Sequence, residues 1–121
     1  MNDALHLIAG QVTDAPGLPL THEPVAADQV VAGSPTTGYV RLDRDESTGR
    51  TVGVWEMTVG AMRDVEAAEV FVVLSGDATV EFEEPALPAV ELRPGSIVRL
   101  EAGMRTIWPV RETLRKVYVA P

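Results

Sequence analysis

The sequence of 121 residues contains no cysteine. This absence excludes disulfides, thiolate metal ligands and thiol nucleophiles. The longest strongly apolar run, residues 70–74, is far shorter than the roughly 20 residues of a membrane span, and no basic region precedes an apolar stretch at the N-terminus. We therefore expect a soluble, cytoplasmic protein without a membrane partner.

Basic residues are also scarce. Ten lysines and arginines stand against 18 aspartates and glutamates, which gives a formal net charge of −8. A charge of this sign repels phosphate backbones. The composition therefore argues against nucleic acid as a partner.

Helical periodicity is missing as well. From residue 51 onward, short runs rich in valine, isoleucine, leucine and threonine are interrupted by glycine or proline, a pattern typical of an all-β sandwich or barrel. The length corresponds to one domain, so we predict a single domain over residues 1–121. Its barrel core covers residues 50–119, and its irregular N-terminal part, residues 1–49, has edge strands near 5–9 and 29–32.

Within the core, turn residues predict how the strands pair. Residues 70–74 and 78–82 flank Gly76 and are expected to form a hairpin, because glycine adopts positive φ without steric cost. Residues 90–92 and 96–100 form a second expected pair around Pro94 and Gly95, and residues 113–119 form the last strand. The sequence therefore predicts local, antiparallel connections.

One charged residue, Glu69, interrupts an otherwise apolar strand. Side-chain alternation places Phe71 on its face, and on the strand after Gly103 it places Thr106 and Trp108 on one face. A carboxylate among such residues must be paired, hydrogen-bonded or protonated. The candidate partners are Arg63, Arg105, Arg115, Lys116 and the hydroxyl of Tyr118. A structural salt bridge and a contact with a ligand both remain open interpretations.

The spacing from Glu69 to Gly76, followed by Gly95 and Gly103, resembles the two signature motifs of the cupin superfamily. Residues 53–56 (GVWE) and 108–116 (WPVRETLRK) are similar to a branch of small cupins related to ureidoglycine aminohydrolases. The resemblance implies an RmlC-like jelly-roll barrel, a double-stranded β-helix, and homodimers. It does not imply one function, because this fold supports many chemistries.

Metal-binding cupins supply two histidines and a glutamate from the first motif and one histidine from the second, ligands that suit divalent transition metals. Here the first two positions fall on Arg63 and Val65, or on Met62 and Asp64, and the last falls on Thr106. The chain's histidines, His6 and His22, lie in the N-terminal part. We therefore expect no metal cofactor. An oxygen-only site for Mg, Ca or Mn is the alternative, built from Glu56, Asp64, Glu66 and Glu69, although these carboxylates also resemble a solvated acidic loop.

Three functions remain open. The first is a metal-free module that binds a small polar organic molecule through Glu69, Thr106, Trp108, Phe71, Arg63 and Tyr118. The second is an enzyme of the aminohydrolase or isomerase type with Glu69 as general acid or base. The third is a dimerising scaffold. Trp55 and Trp108 fit core packing as well as recognition, and Arg115 and Lys116 are expected to form a solvated strand end with one side chain facing inward.

Overall fold

The computed structural model describes residues 6–121 and consists almost entirely of β-strands. The strands are β1 His22–Pro24, β2 Val30–Ala32, β3 Thr36–Arg44, β4 Thr51–Met57, β5 Gly60–Val65, β6 Glu69–Glu84, β7 Leu87–Leu92, β8 Ile97–Leu100 and β9 Arg105–Ala120. A single 3-10 turn, Ala15–Gly17, precedes β1. In this part of the chain no helix is long and apolar enough to cross a membrane.

All nine strands form one curled antiparallel sheet around β6 and β9, each of which is 16 residues long. These two strands pair with one another along most of their length, and bulges interrupt the ladder at several points. The other edge of β9 pairs with β5 through its first half and with β4 through its second half. This arrangement confirms the predicted jelly-roll fold, and β9 is the strand that joins β4, β5 and β6.

The pairing within the core differs from the prediction. Residues 75–77 are not a hairpin turn, because β6 runs through them without reversing. Gly76 has a φ of +105° within an irregular stretch of the β6–β9 ladder. A Cβ at this position would collide with the carbonyl oxygen of Thr113 and would lie 2.7 Å from the Cα of Leu114. The glycine therefore permits a bulge against β9.

The second predicted pair is also wrong in its partners. β7 and β8 both form, and the chain turns at Gly95 between them, but each pairs with β6. They lie one after the other along the same edge of that strand. Both strands are antiparallel to β6, so the chain continues in the same direction from β7 to β8 and does not form a hairpin.

The N-terminal part is more regular than predicted. It supplies the nine-residue β3, which pairs with β4, and the predicted edge strand near 29–32 is present as β2. Of the strand expected near 5–9, Leu5 lies outside the described residues, and residues 6–9 are not a strand. Residues 15–18 instead pass close to β9, where their carbonyl oxygens accept hydrogen bonds.

The core lies inside the curled sheet. Its largest fully buried apolar side chains come from five different strands: Met57, Phe71, Leu92, Leu100 and Leu114. Burying each one stabilises the fold by about 1.5–3 kcal/mol relative to exposure. One end of the interior is open instead of filled with apolar side chains, and this end forms the candidate site.

Candidate functional site

A cavity of about 170 Å³ opens at one end of the barrel. Its wall combines aromatic rings with ionisable groups from β3, β4, β5, β6, β9 and the loop after β5: Tyr39, Trp55, Met62, Asp64, Glu66, Glu69, Trp108, Lys116 and Tyr118. Pockets for drug-sized ligands measure about 300–1,000 Å³. The cavity therefore suits a smaller molecule.

Glu69 faces this cavity and is paired with Lys116. The ammonium Nζ of Lys116 donates a hydrogen bond of 2.6 Å to Oε2 of Glu69. Lys116 is 5% exposed, and its ammonium lies 4.2 Å from the ring centroid of Phe71 and 4.8 Å from those of Trp55 and Trp108. The negative faces of these rings stabilise the cation. Lys116 is thus held by one carboxylate and three aromatic rings.

Glu66 forms a second polar centre in the cavity wall. Its Oε2 accepts hydrogen bonds from the Thr106 hydroxyl at 2.5 Å and from the indole Nε1 of Trp108 at 3.0 Å. Backbone hydrogen bonds of 2.8 Å join Glu66 to Met104 and Gly103 and hold it beside β9. Burial raises the pKa of the Glu66 carboxyl, although the bonds from Thr106 and Trp108 act in the opposite direction. The residue is only 8% exposed, so a negative charge here is costly.

Asp64 lies on the same wall. Its Oδ1 accepts a hydrogen bond of 2.8 Å from the backbone N–H of Val65. Burial raises the pKa of the Asp64 carboxyl as well, against the effects of this bond and of the Lys116 charge. Two carboxyl groups with raised pKa values therefore lie in one small cavity, an arrangement characteristic of functional sites.

Five of the six predicted ligand-binding residues lie inside the barrel, and they form two groups. Glu69, Trp108 and Tyr118 line the cavity. Thr106 is fully buried behind Glu66, and Phe71 lies behind Lys116. Their placement inside the barrel agrees with the predicted strand faces, whereas their role in binding a ligand stays a prediction.

Arg63 does not reach the cavity. Alternation along β5 turns Met62 and Asp64 inward, so Arg63 faces outward, where its guanidinium lies 3.5 Å from Glu83. Arg105 is likewise on the outside and pairs with Glu84 at 3.2 Å. Neither arginine can serve as the cation for Glu69 in this arrangement.

Arg115 and Lys116 are not a solvated strand end. Both are buried, and they face opposite sides of β9. On the outer side, Arg115 donates a hydrogen bond of 2.8 Å to Glu56 and further bonds to the carbonyl oxygens of Ala15, Pro16 and Leu18. His22 contacts the other oxygen of Glu56 at 2.7 Å. This outer cluster attaches the N-terminal segment to the barrel and explains the burial of Arg115.

The residues at the expected metal position do not fit a metal ion. The Lys116 ammonium already neutralises Glu69, and Thr106 offers a hydroxyl in place of an imidazole. His22 lies in the outer cluster with Glu56, and His6 is exposed. Across residues 6–121 no three His, Asp or Glu side chains form a group that could hold a metal. The alternative oxygen-only site from Asp64, Glu66 and Glu69 therefore has no support in their geometry.

Sequence reasoning missed the burial of Glu66 and the central position of Lys116. The acidic residues around Glu66 favour a solvated loop or an oxygen-only metal site, and neither interpretation predicts its hydrogen bonds to Thr106 and Trp108. The backbone hydrogen bonds of Glu66 to Met104 and Gly103 extend the β5–β9 pairing by one more residue. Glu66 therefore faces the same side as Met62 and Asp64, and this alternation is the sequence signal that indicates its inward direction.

The curled sheet, with the motif glutamate inside it and Gly76 seven residues later on the same strand, defines a cupin barrel. A family model of the EutQ-like cupin domain matches residues 44–118. The chain therefore belongs to the EutQ-like cupin domain family, and the superfamily prediction is confirmed. The finer placement beside the ureidoglycine aminohydrolases stays a prediction.

Solved structures support this fold. The EutQ protein of Clostridium difficile superposes with a TM-score of 0.67 at 18% identity, over 89% of this chain and 83% of that protein. A protein of unknown function from Pseudomonas syringae pv. tomato gives 0.68 at 18%, over 85% of this chain but only 44% of its own length. A cupin-like protein from Thermotoga maritima gives 0.59 at 13%, over 80% and 74%. No curated protein matches the chain.

Proposed function

We propose that this cupin domain is a metal-independent binding module that holds a small polar organic molecule in the barrel cavity. The observation that carries the proposal is the 2.6 Å ion pair between Lys116 and Glu69. The motif glutamate already has a cation supplied by the chain, so it does not require a metal ion for charge neutralisation. The cavity still presents free polar groups beside aromatic rings, which is the usual composition of a small-molecule site.

Tyr118 contributes one of these free groups. Its hydroxyl makes no hydrogen bond within the part of the chain that the structure describes, and burial raises the pKa of the phenol. The phenol therefore keeps its proton at neutral pH and is available as a donor to a ligand. Trp55 and Trp108, whose ring centroids are 5.8 Å apart, offer apolar surface beside it.

The test combines metal analysis with ligand screening. Elemental analysis of the purified protein is expected to find metal well below one equivalent. Thermal-shift screening against small amines, alcohols and carboxylic acids is expected to reveal stabilising compounds, and their effect should be unchanged by EDTA. Stoichiometric metal that EDTA removes together with all ligand binding would refute the proposal.

Catalysis is the second candidate function. The observation that favours it is the presence in one cavity of Glu66, whose pKa is raised, and of Glu69, which is paired with a cation. Two carboxyls in different environments are suited to acid and base roles. A Glu69→Gln variant with unchanged turnover on a confirmed substrate would exclude Glu69 as the acid or base.

A dimeric scaffold in the cytoplasm remains the third proposal. It rests on the resemblance to cupins, which implies homodimers. Light scattering at micromolar concentration tests the association directly, and a monomer would argue against it. The binding proposal does not depend on this outcome.

A further inference from the structure

The charges in the cavity wall do not balance. Three carboxyl groups, Asp64, Glu66 and Glu69, share the wall with one ammonium group, that of Lys116. The ammonium is within hydrogen-bond distance of Glu69 alone. The Lys116 charge also acts on Asp64 and Glu66 through space, but neither of these carboxyl groups forms an ion pair with a cation from residues 6–121.

The nearby arginines do not supply this missing charge. Arg63 and Arg105 lie on the outer side of their strands and pair with Glu83 and Glu84. Arg115 lies behind β9, where it pairs with Glu56. Asp64 also lines a second cavity that Arg63 and Arg105 share, but among the described residues these arginines pair with Glu83 and Glu84 and form no ion pair with Asp64 or Glu66.

Glu66 shows where a ligand would bind. Its Oε2 is occupied by Thr106 and Trp108, whereas its Oε1 accepts no hydrogen bond from any described residue. Glu66 as a residue is only 8% exposed, and it lines the cavity. A buried acceptor without a partner costs about as much as a lost hydrogen bond. A ligand that donates to Oε1 removes this cost.

We propose that the ligand is a small organic cation, with its positively charged nitrogen between Asp64 and Glu66 and its carbon atoms against Trp55 and Trp108. This inference rests on the proposed binding function. A charged nitrogen supplies both the donor that Oε1 of Glu66 lacks and the charge that the wall lacks. The aromatic faces favour an organic cation, since they attract its charge and bury its hydrocarbon.

The chain offers a direct readout. Its only two tryptophans, Trp55 and Trp108, both line the cavity, so their fluorescence reports ligand entry. The probes are propylammonium, 1-propanol and propionate, which have similar carbon chains and differ in charge. Titrations extend into the millimolar range at constant ionic strength, because so small a ligand makes few contacts. Propylammonium is expected to change the emission saturably and to bind about tenfold more tightly than the other two probes.

Variants then locate the cation. Glu66→Gln keeps an acceptor for Thr106 and Trp108 but removes the charge, and Asp64→Asn keeps an acceptor for the backbone N–H of Val65 and also removes a charge. Each is expected to weaken propylammonium binding about tenfold. Glu83→Gln is the matched control, because it removes an equal charge from the outer face, and its effect should stay within about twofold. Circular dichroism verifies that each variant is folded.

The outcomes distinguish this inference from the proposal on which it rests. Tighter binding of propionate or 1-propanol overturns the cation but leaves a binding cavity. Propylammonium binding that neither Glu66→Gln nor Asp64→Asn weakens also overturns the inference, because the cation then binds elsewhere. Absence of any propylammonium signal refutes it too, whereas the metal-independent binding function is refuted only by the metal and EDTA experiment.

Discussion

Replacing Lys116 with methionine tests whether the cation inside the barrel is an essential partner of Glu69. The thioether keeps much of the apolar stem in contact with the rings of Trp55, Phe71 and Trp108, but it removes the ammonium. Glu69 is then left without the cation that lies 2.6 Å from Oε2. Removing one member of a buried ion pair costs about 3–5 kcal/mol. The Glu69 side chain is 15% exposed, so solvent reaches part of it. We therefore expect Lys116→Met to lower the free energy of unfolding by about 3 kcal/mol, the lower end of that range.

The double variant Lys116→Met/Glu69→Gln supplies the second half of this test. Once both charges are absent, no uncompensated group remains, and replacement of a whole buried pair is often close to neutral. We therefore expect the double variant to lie within about 1 kcal/mol of the original protein, with a coupling energy of roughly 2 kcal/mol or more. Urea unfolding followed by far-ultraviolet circular dichroism measures these free energies without relying on tryptophans that contact Lys116.

Arg63→Met is the matched control on the outside of the barrel. Arg63 also pairs with a glutamate, Glu83, at 3.5 Å, but about half of each side chain is exposed. Its loss should cost no more than about 1 kcal/mol. A loss below about 1 kcal/mol in Lys116→Met, with no coupling to Glu69→Gln, would refute the reasoning, since Glu69 would then be satisfied by solvent alone.

Three further substitutions test the fold and the other charged groups. The pKa of Glu56 lies below 4.5 because bonds from Arg115 and His22 outweigh the effect of burial, so Glu56→Gln should cost about 2 kcal/mol at neutral pH. In urea titrations across pH, this difference should disappear as the pH falls through the lowered value. The pKa of Glu66 is raised above 4.5, which reverses the sign: Glu66→Gln should stabilise the protein by about 1–2 kcal/mol above that pKa and have no effect below 4.5, as thermal unfolding can show. Gly76→Ala should cost more than about 2 kcal/mol in urea unfolding because of its backbone collision, against about 1–2 kcal/mol for Gly95→Ala, where φ is +93° and a Cβ meets open space.

Side-chain alternation predicted the faces of the two central strands correctly. Trp108 on β9 and Glu69 and Phe71 on β6 face inward as predicted. Lys116 and Tyr118 share the parity of Trp108 and also face the cavity, a direction that the sequence left open. This success has a physical reason, because the direction of a side chain in a strand is determined locally with a period of two. The alternation holds along the whole of β9, since the residues of this strand that face the interior are all even-numbered.

Pairing could not be predicted in the same way. A glycine between two apolar runs has the same sequence appearance at a hairpin and at a bulge in a long strand. At Gly76, the close approach of Thr113 and Leu114 decides between them, and these residues lie 37 and 38 positions further along the chain. The burial of Glu66 likewise depends on Thr106, 40 residues away. Both errors therefore concern contacts that local composition does not encode.

The two polar centres of the cavity have opposite consequences for stability. Lys116 neutralises Glu69 from within the chain, so this pair needs nothing from outside. Glu66 has hydrogen bonds to one oxygen only, and burial raises its pKa, so its ionised form destabilises the folded protein as the pH rises. A glutamine could still accept hydrogen bonds from Thr106 and Trp108 through its amide oxygen, and it would carry no buried charge. The charge of this carboxylate has no ion-pair partner among the described residues, and the cationic ligand that we propose would supply one and would stabilise the folded barrel by mass action.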